Sequence, residues 1–361
     1  MSSNKIDRFL KLMNDRGASD LHLSVGRPPL LRLHGDIEPV RYGTLTDADF
    51  TELIKPVLGD EPAWLRYQDT GDVDLAYELP GVARFRVNLF KQFRGMGAVF
   101  RLIPTRLMTL EQLGMPPSVA KFCYLRRGLL LVTGPTGSGK STTLSAILNR
   151  INEEQKLHII TIEDPIEFVH PNKKSIISQR EIGSHATGFS EALKAAVRED
   201  PDIVLVGELR DLETIRTAIS AAESGLTVFA TLHTNSAAKA VDRILNVFPE
   251  EEQEGVRGAL AECLRGVLAQ QLVRKKGGGR VAALEVLFAT ASLGTLIREG
   301  KTAQIQSAIA MGKSLGMVTM DESLFSLVVS DTIDAGSAYE KAIDKAPFRD
   351  RLASIDQTVP A

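Results

Sequence analysis

Cysteine is nearly absent from this chain: 361 residues contain two, Cys123 and Cys263, far apart and without cysteine neighbours. Neither a paired-thiol redox motif nor a four-cysteine zinc site can be built from them, so both are read as small buried hydrophobes. Long apolar runs are also missing. No stretch approaches the roughly 18 residues of a membrane-crossing helix. The opening segment MSSNKIDRFLKLMNDR scatters charges among its apolar positions and lacks the apolar centre of a signal peptide, so a cytoplasmic protein is expected. Nor does one sign of charge dominate. Forty-three Lys and Arg face 45 Asp and Glu, for a net charge of -2 and a pI near 6.4. That excludes a global basic field for nucleic acid, and no basic stripe is interleaved with stacking aromatics. Internal repeats and low-complexity tracts are absent. The remainder, 43% hydrophobic and 24% charged, is ordinary for a soluble globular chain, and its length implies two domains with an appended helical piece.

The most informative segment that is present reads GPTGSGKST, from Gly134 through Pro135, Thr136, Gly137, Ser138, Gly139, Lys140 and Ser141 to Thr142. It follows the apolar run Leu129–Thr133 and precedes an amphipathic stretch, which is the strand–loop–helix context of a phosphate-binding loop. Glycines let consecutive backbone N–H groups turn inward around a triphosphate, and the helix N-terminus adds partial positive charge. Lys140 is placed to reach the outer phosphates and the Ser141 hydroxyl to ligate Mg²⁺, so ATP and Mg²⁺ are the expected cofactors.

Around this loop the chain changes character. Ile6, Phe9, Leu10 and Met13 fall at helical spacing, and alternating strands follow at Leu21–Val25, Leu31–Leu33, Val73–Leu79, Ala83–Leu89 and on to Ile103. Residues 1–103 therefore read as a small mixed sheet-and-helix domain, and 104–117, bracketed by Pro104, Pro116 and Pro117, as a linker. From 118 to 290 strands alternate with helices, the mark of a parallel sheet covered on both faces. Its expected strands are Leu129–Thr133, Ile159–Ile162, Ile203–Val206, Val228–Leu232 and Val281–Phe288. Pro249 is read as opening a long helix through Val256, Leu260, Leu264, Val267 and Leu268. Residues 291–361 are helical in character, with a frayed end over the last ten or so.

Hydrolysis requires more than a grip on phosphate: a metal, an oriented water and charge compensation. Glu208 ends the strand Ile203–Val206 and so faces the crevice at the carboxyl edge of a parallel sheet, to polarise water or hold the Mg²⁺ shell. The alternative is a solvated strand-end acid or a partner for Arg210. Glu163, with Asp164 and Glu167, follows another strand into the same crevice, although an Asp-Pro pair is equally a turn. His233 follows a third strand, where it serves either as a γ-phosphate sensor or as a structural histidine. Arg84, Arg86 and Arg101 form a cationic strand face in the first domain. Such a face is either a solvated surface or a source of arginine fingers.

Four segments in this order and spacing, GPTGSGKST, TIEDPIEF (161–168), REDPDIVLVGELRD (198–211) and FATLHTNSA (229–237), resemble the nucleotide-site motifs of the secretion ATPase superfamily. The likeness is nearest to its PilT-type branch, the retraction motors of type IV pili, and extends through ARFRVNLF, AVFRLIP, GGGRVAALEV and LIRE. The resemblance implies an α/β fold: a RecA-like ATPase core, a smaller PAS-like α+β N-terminal domain and a helical C-terminal region. It implies a homo-hexamer working on an inner-membrane pilus platform protein, reaching the membrane only through partners. It also implies that Lys140 and Ser141 bind phosphates and Mg²⁺, that Glu163 belongs to the acidic box, that Glu208 activates water and that His233 belongs to the histidine box. Arg84, Arg86 and Arg101 match the arginines that complete the site from the first domain.

The chain departs from the branch at Ser292-Leu293-Gly294-Thr295, where AIRN is usual before LIRE. It departs again at Gly225-Leu226, where Gly-His is usual, and at Ala230, where glycine is common. An accessory retraction motor or another ATPase of the superfamily is the near alternative. A nucleotide-gated signalling subunit that does not turn over is the distant one, and a DNA-acting RecA-like motor the least favoured.

Overall fold

The computed structural model describes residues 4–33, 35–59, 61–103 and 107–357, without the side chains of 61–63. The chain divides into two compact units, residues 1–106 with 167–169, and residues 107–166 with 170–361.

The first unit opens with α1 (Lys5–Asp15), whose Asn4 and Asp7 form a capping box. Strands β1 (Asp20–Ser24), β2 (Leu30–Leu33) and β3 (Asp36–Pro39) follow, then α2 (Asp47–Leu58) and α3 (Glu61–Thr70). Next come β4 (Asp72–Leu79), β5 (Ala83–Gln92) and β6 (Gly95–Ile103). They form one antiparallel sheet in the order β3-β2-β1-β6-β5-β4. Leu21, Leu23, Phe85, Val87, Leu89 and Phe100 point to one face, where α1 and α2 cover them with Ile6, Leu10, Phe50 and Leu53. Alternation at period two thus leaves the polar residues between them on the other face.

The second unit is wound about β7 (Gly128–Thr133), β8 (His158–Glu163), β9 (Ile176–Glu181), β10 (Ile203–Val206), β11 (Thr227–Leu232), β12 (Leu264–Arg274) and β13 (Arg280–Phe288). Their order is β13-β12-β7-β11-β10-β8-β9, parallel throughout except for the β12–β13 hairpin. Both faces are buried. Leu129 and Leu131 of β7 join one core, and Leu130 and Val132 the opposite one. The helices are α4 (Lys140–Glu154), α5 (Phe189–Ala196), α6 (Leu212–Glu223), α7 (Ala237–Leu245), α8 (Glu250–Cys263), α9 (Ala291–Arg298) and α10 (Ile305–Met311). At the end of the chain, α11 (Met320–Val329), α12 (Ala335–Lys341) and α13 (Lys345–Ala353) pack on β12 and β13 through Met320, Leu324, Phe348 and Leu352. None of the helices among the described residues is long and apolar enough to cross a membrane. Cys123 and Cys263 are free and buried, and burial pushes both thiols up to about 12.

The mixed α/β architecture with a phosphate-loop core is the one the sequence implies. Two details differ from the expectation. The helix begun at Pro249 stops at Cys263, and Leu264–Arg274 is strand β12. Leu264, Val267 and Leu268 fit a helical stripe, but a strand buried on both faces is a continuous apolar run whose spacing does not separate the two. Leu110 and Met115, read as linker, are buried against Val119 and Phe122 in the second unit, while Pro104 lies outside the described residues. Helix α13 ends at Ala353, with Phe348 and Leu352 buried.

Candidate functional site

Strand β7 ends at Thr133, the turn Gly134–Gly139 follows, and α4 begins at Lys140. Gly139 caps the helix at φ 89°, a conformation that costs other residues a Cβ clash. Pro135, Thr136 and Gly137 are exposed, Ser138 is buried, and Ser141 and Thr142 lie half-buried on the first turn of α4. Lys140 is folded over its own loop, with Nζ donating to the Gly134 carbonyl at 2.8 Å and the Pro135 carbonyl at 3.2 Å.

The parallel register brings three further groups to this same carboxyl edge. Val206 pairs with Ile162 on one side and Ala230 on the other, and Leu232 pairs with Thr133. Glu208 lies just beyond β10, and both of its oxygens are engaged. Arg210 Nε donates to Oε2 at 2.7 Å, and His233 Nε2 lies 3.1 Å from Oε1. The Glu208 carboxylate, followed by that of Asp164 at 3.6 Å, raises the Arg210 guanidinium above its usual value. Pairing with Arg210 and a position at the carboxyl edge of the sheet thus occur together at Glu208. A cleft of about 140 Å³ lies between Glu208–Arg210, Leu232–Thr234 and Arg243.

Glu163, the last residue of β8, accepts from Thr161 Oγ1 at 2.6 Å and from Gln179 Nε2 at 3.1 Å. Gln179 in turn accepts from the His170 backbone at 2.8 Å, and Glu181 accepts from the Ile166 backbone at 3.0 Å. Strand β9 therefore braces the acidic box from its side. Burial pushes the His170 imidazole down to about 4. Thr133 Oγ1 receives the Thr234 backbone N–H at 3.0 Å, which ties the phosphate loop's strand to the histidine box. Gln179 and Arg243 carry no local sequence signal, and Thr133 and Thr234 lie inside recognised segments without being singled out; the register of the sheet brings all four in.

On the first unit, Arg86 and Arg101 are direct cross-strand partners on the face opposite Phe85 and Phe100, and Arg84 pairs with Ile103. Arg86 Nε stands 3.7 Å from Asp74, and Arg101 Nε donates to Asp20 Oδ1 at 2.8 Å. Burial pushes the Asp20 carboxyl up, but hydrogen bonds from Ser19 and Arg101 outweigh it and hold the group below the usual range. Among the described residues, no group of three or more His, Cys, Asp or Glu side chains is placed to hold a metal ion.

The family description "Type II/IV secretion system protein" matches residues 66–314, a span that includes the phosphate loop, the acidic box, Glu208 and His233. The chain belongs to this family. Type IV pilus retractation ATPase PilT of Pseudomonas aeruginosa is 51% identical over 337 residues, which cover 93% of this chain and 98% of that protein. A twitching motility protein of Neisseria gonorrhoeae is 50% identical, covering 87% of this chain and 84% of the relative. The crystal structure of the pilus retraction motor PilT with bound ADP superposes at a TM-score of 0.88 and 42% identity, over 95% of this chain and 98% of that one. The PilT-type resemblance of the four motifs is borne out, and the chain is a nucleotide-binding ATPase of the type II/IV secretion family.

Proposed function

We propose that the chain is a magnesium-dependent ATP-hydrolysing motor that drives type IV pilus retraction. It works as a homo-hexamer at the inner face of the cytoplasmic membrane, acting on a pilus platform protein. The observation that carries this reading is one sheet edge holding a complete phosphate loop and, beyond the neighbouring strands, Glu208 with His233 3.1 Å from it. Loop N–H groups and Lys140 bind the phosphates, and Glu208 accepts the proton of the attacking water. His233 orients that carboxylate. Arg84, Arg86 and Arg101 compensate charge as the β–γ bond breaks.

The donor set suits magnesium, a hard cation that binds through one or two carboxylates plus substrate phosphates. Ser141 with Glu208 or Glu163 would supply the protein oxygens that hold the ion, whose chemistry there would be charge neutralisation at the phosphates. Residues 1–103 act as the arginine-bearing domain, 104–117 as the connection to the ATPase domain at 118–290, and 291–361 as a helical region.

Glu208→Gln tests the reading. The variant is expected to bind ATP like the wild type while hydrolysis falls by about 10²–10⁴. Cells carrying it alone keep pili that extend and do not retract. Wild-type turnover would remove Glu208 from this role, and loss of all fibres would indicate extension instead.

A further inference from the structure

Gln270 lies on β12, buried to 2% exposure, with both halves of its amide engaged. Its Nε2 donates to the Ser138 carbonyl at 2.8 Å, and its Oε1 accepts from Thr143 Oγ1 at 2.8 Å. One of these bonds is to the phosphate loop and the other to the first turn of the helix that follows. The carbonyl can only accept, so the amide has a single orientation here. Close approach reinforces the bonds. A Cβ added at Gly134 would sit 2.2 Å from the Gln270 backbone oxygen, and one at Gly139 would sit 2.8 Å from Nε2. Two glycines of the motif are thus required by what lies behind the loop as well as by what it binds.

We infer that Gln270 is a positioning residue of the nucleotide site: a buried amide strut that holds the loop and the start of α4 in register before phosphate arrives. The inference rests on the loop being the nucleotide site, and ADP binding by the wild type checks that premise independently of hydrolysis. A loop shaped in advance loses less conformational freedom on binding. Both hydrogen bonds of the strut are to Ser138 and Thr143, so its removal acts through the loop and the start of α4.

The test measures ADP affinity of the assembled, full-length protein by titration calorimetry, alongside thermal melting. Gln270→Met keeps the volume and removes both bonds. Gln270→Glu keeps the shape but turns a carboxylate oxygen toward the Ser138 carbonyl. Both are expected to bind ADP about tenfold or more weakly, Gln270→Met through the loss of two buried hydrogen bonds and Gln270→Glu through the loss of one and the facing of two acceptors. Thr143→Val, which removes the bond to the first turn of α4 and leaves the bond to the loop, is expected to weaken ADP by a few-fold, and Thr143→Ser to restore it. The double variant Gln270→Met with Thr143→Val should be no weaker than Gln270→Met alone. Wild-type ADP affinity in folded Gln270→Met would overturn the inference, as would additive losses in the double variant. Should Gln270→Met fail to fold, unchanged affinity in Thr143→Val overturns it equally.

Discussion

The two sheets of this protein solve the same burial problem in opposite ways. The antiparallel sheet of the first unit is covered by helices on one face, so alternate residues of β5 and β6 can carry charge, and Arg84, Arg86 and Arg101 do so within the strands themselves. The seven-stranded sheet of the second unit is covered on both faces. Every residue of β7 and β10 is buried, and the polar groups of the candidate site stand at strand ends, where the loop, Glu208, Glu163 and His233 collect. Where a sheet is covered thus decides where on it function can be placed.

Substitutions can sharpen that contrast. The largest effect on stability is expected from Phe229→Ala, in the middle of β11 with no exposed surface, which should cost about 3–5 kcal/mol in denaturant unfolding. A loss below 1 kcal/mol would mean that the doubly covered sheet is less tightly packed than its burial indicates.

Mild acid gives the next largest. The folded-state pKa of His170 is depressed to about 4 against an unfolded value near 6.5, so the neutral imidazole contributes fully above that unfolded value. Its contribution is lost as pH falls from about 6.5 toward 4, and the loss amounts to at most about 3 kcal/mol. His22 of the first unit is likewise depressed by burial and adds to the slope. His170→Gln should flatten the pH dependence of melting in that window, and an unaltered slope would refute the assignment.

The smallest effect on stability is expected on the open face. Arg86→Ala removes a half-exposed residue 3.7 Å from Asp74, so unfolding should shift by less than about 1 kcal/mol. ATP turnover should nevertheless fall by at least about tenfold if the arginine compensates charge at the nucleotide. Unchanged turnover would leave Arg86 a surface residue.

The same contrast explains what the sequence made legible. A half-covered strand announces itself by alternation, as at Ala83–Leu89, and the phosphate loop is a contiguous motif that needs no tertiary information. Glu208 and His233 could be read because each follows an apolar run at the edge where ligands bind. Gln270 could not, because its partners Ser138 and Thr143 are far away in sequence and β12 itself resembles the end of a helix. Nor could the support that Gln179 gives Glu163. Strand β9 is a half-exposed edge with weak alternation, and its value lies in which neighbour it meets.

Strand β12 serves two masters. While Gln270 faces the loop, Gln271 next to it turns the other way and donates to the Lys341 carbonyl at the end of α12 at 3.4 Å. Adjacent positions on one extended backbone cannot slide independently. Inserting a single amino acid within β12 ahead of Gln270 would unseat the support of the phosphate loop and the anchor of the terminal helices together.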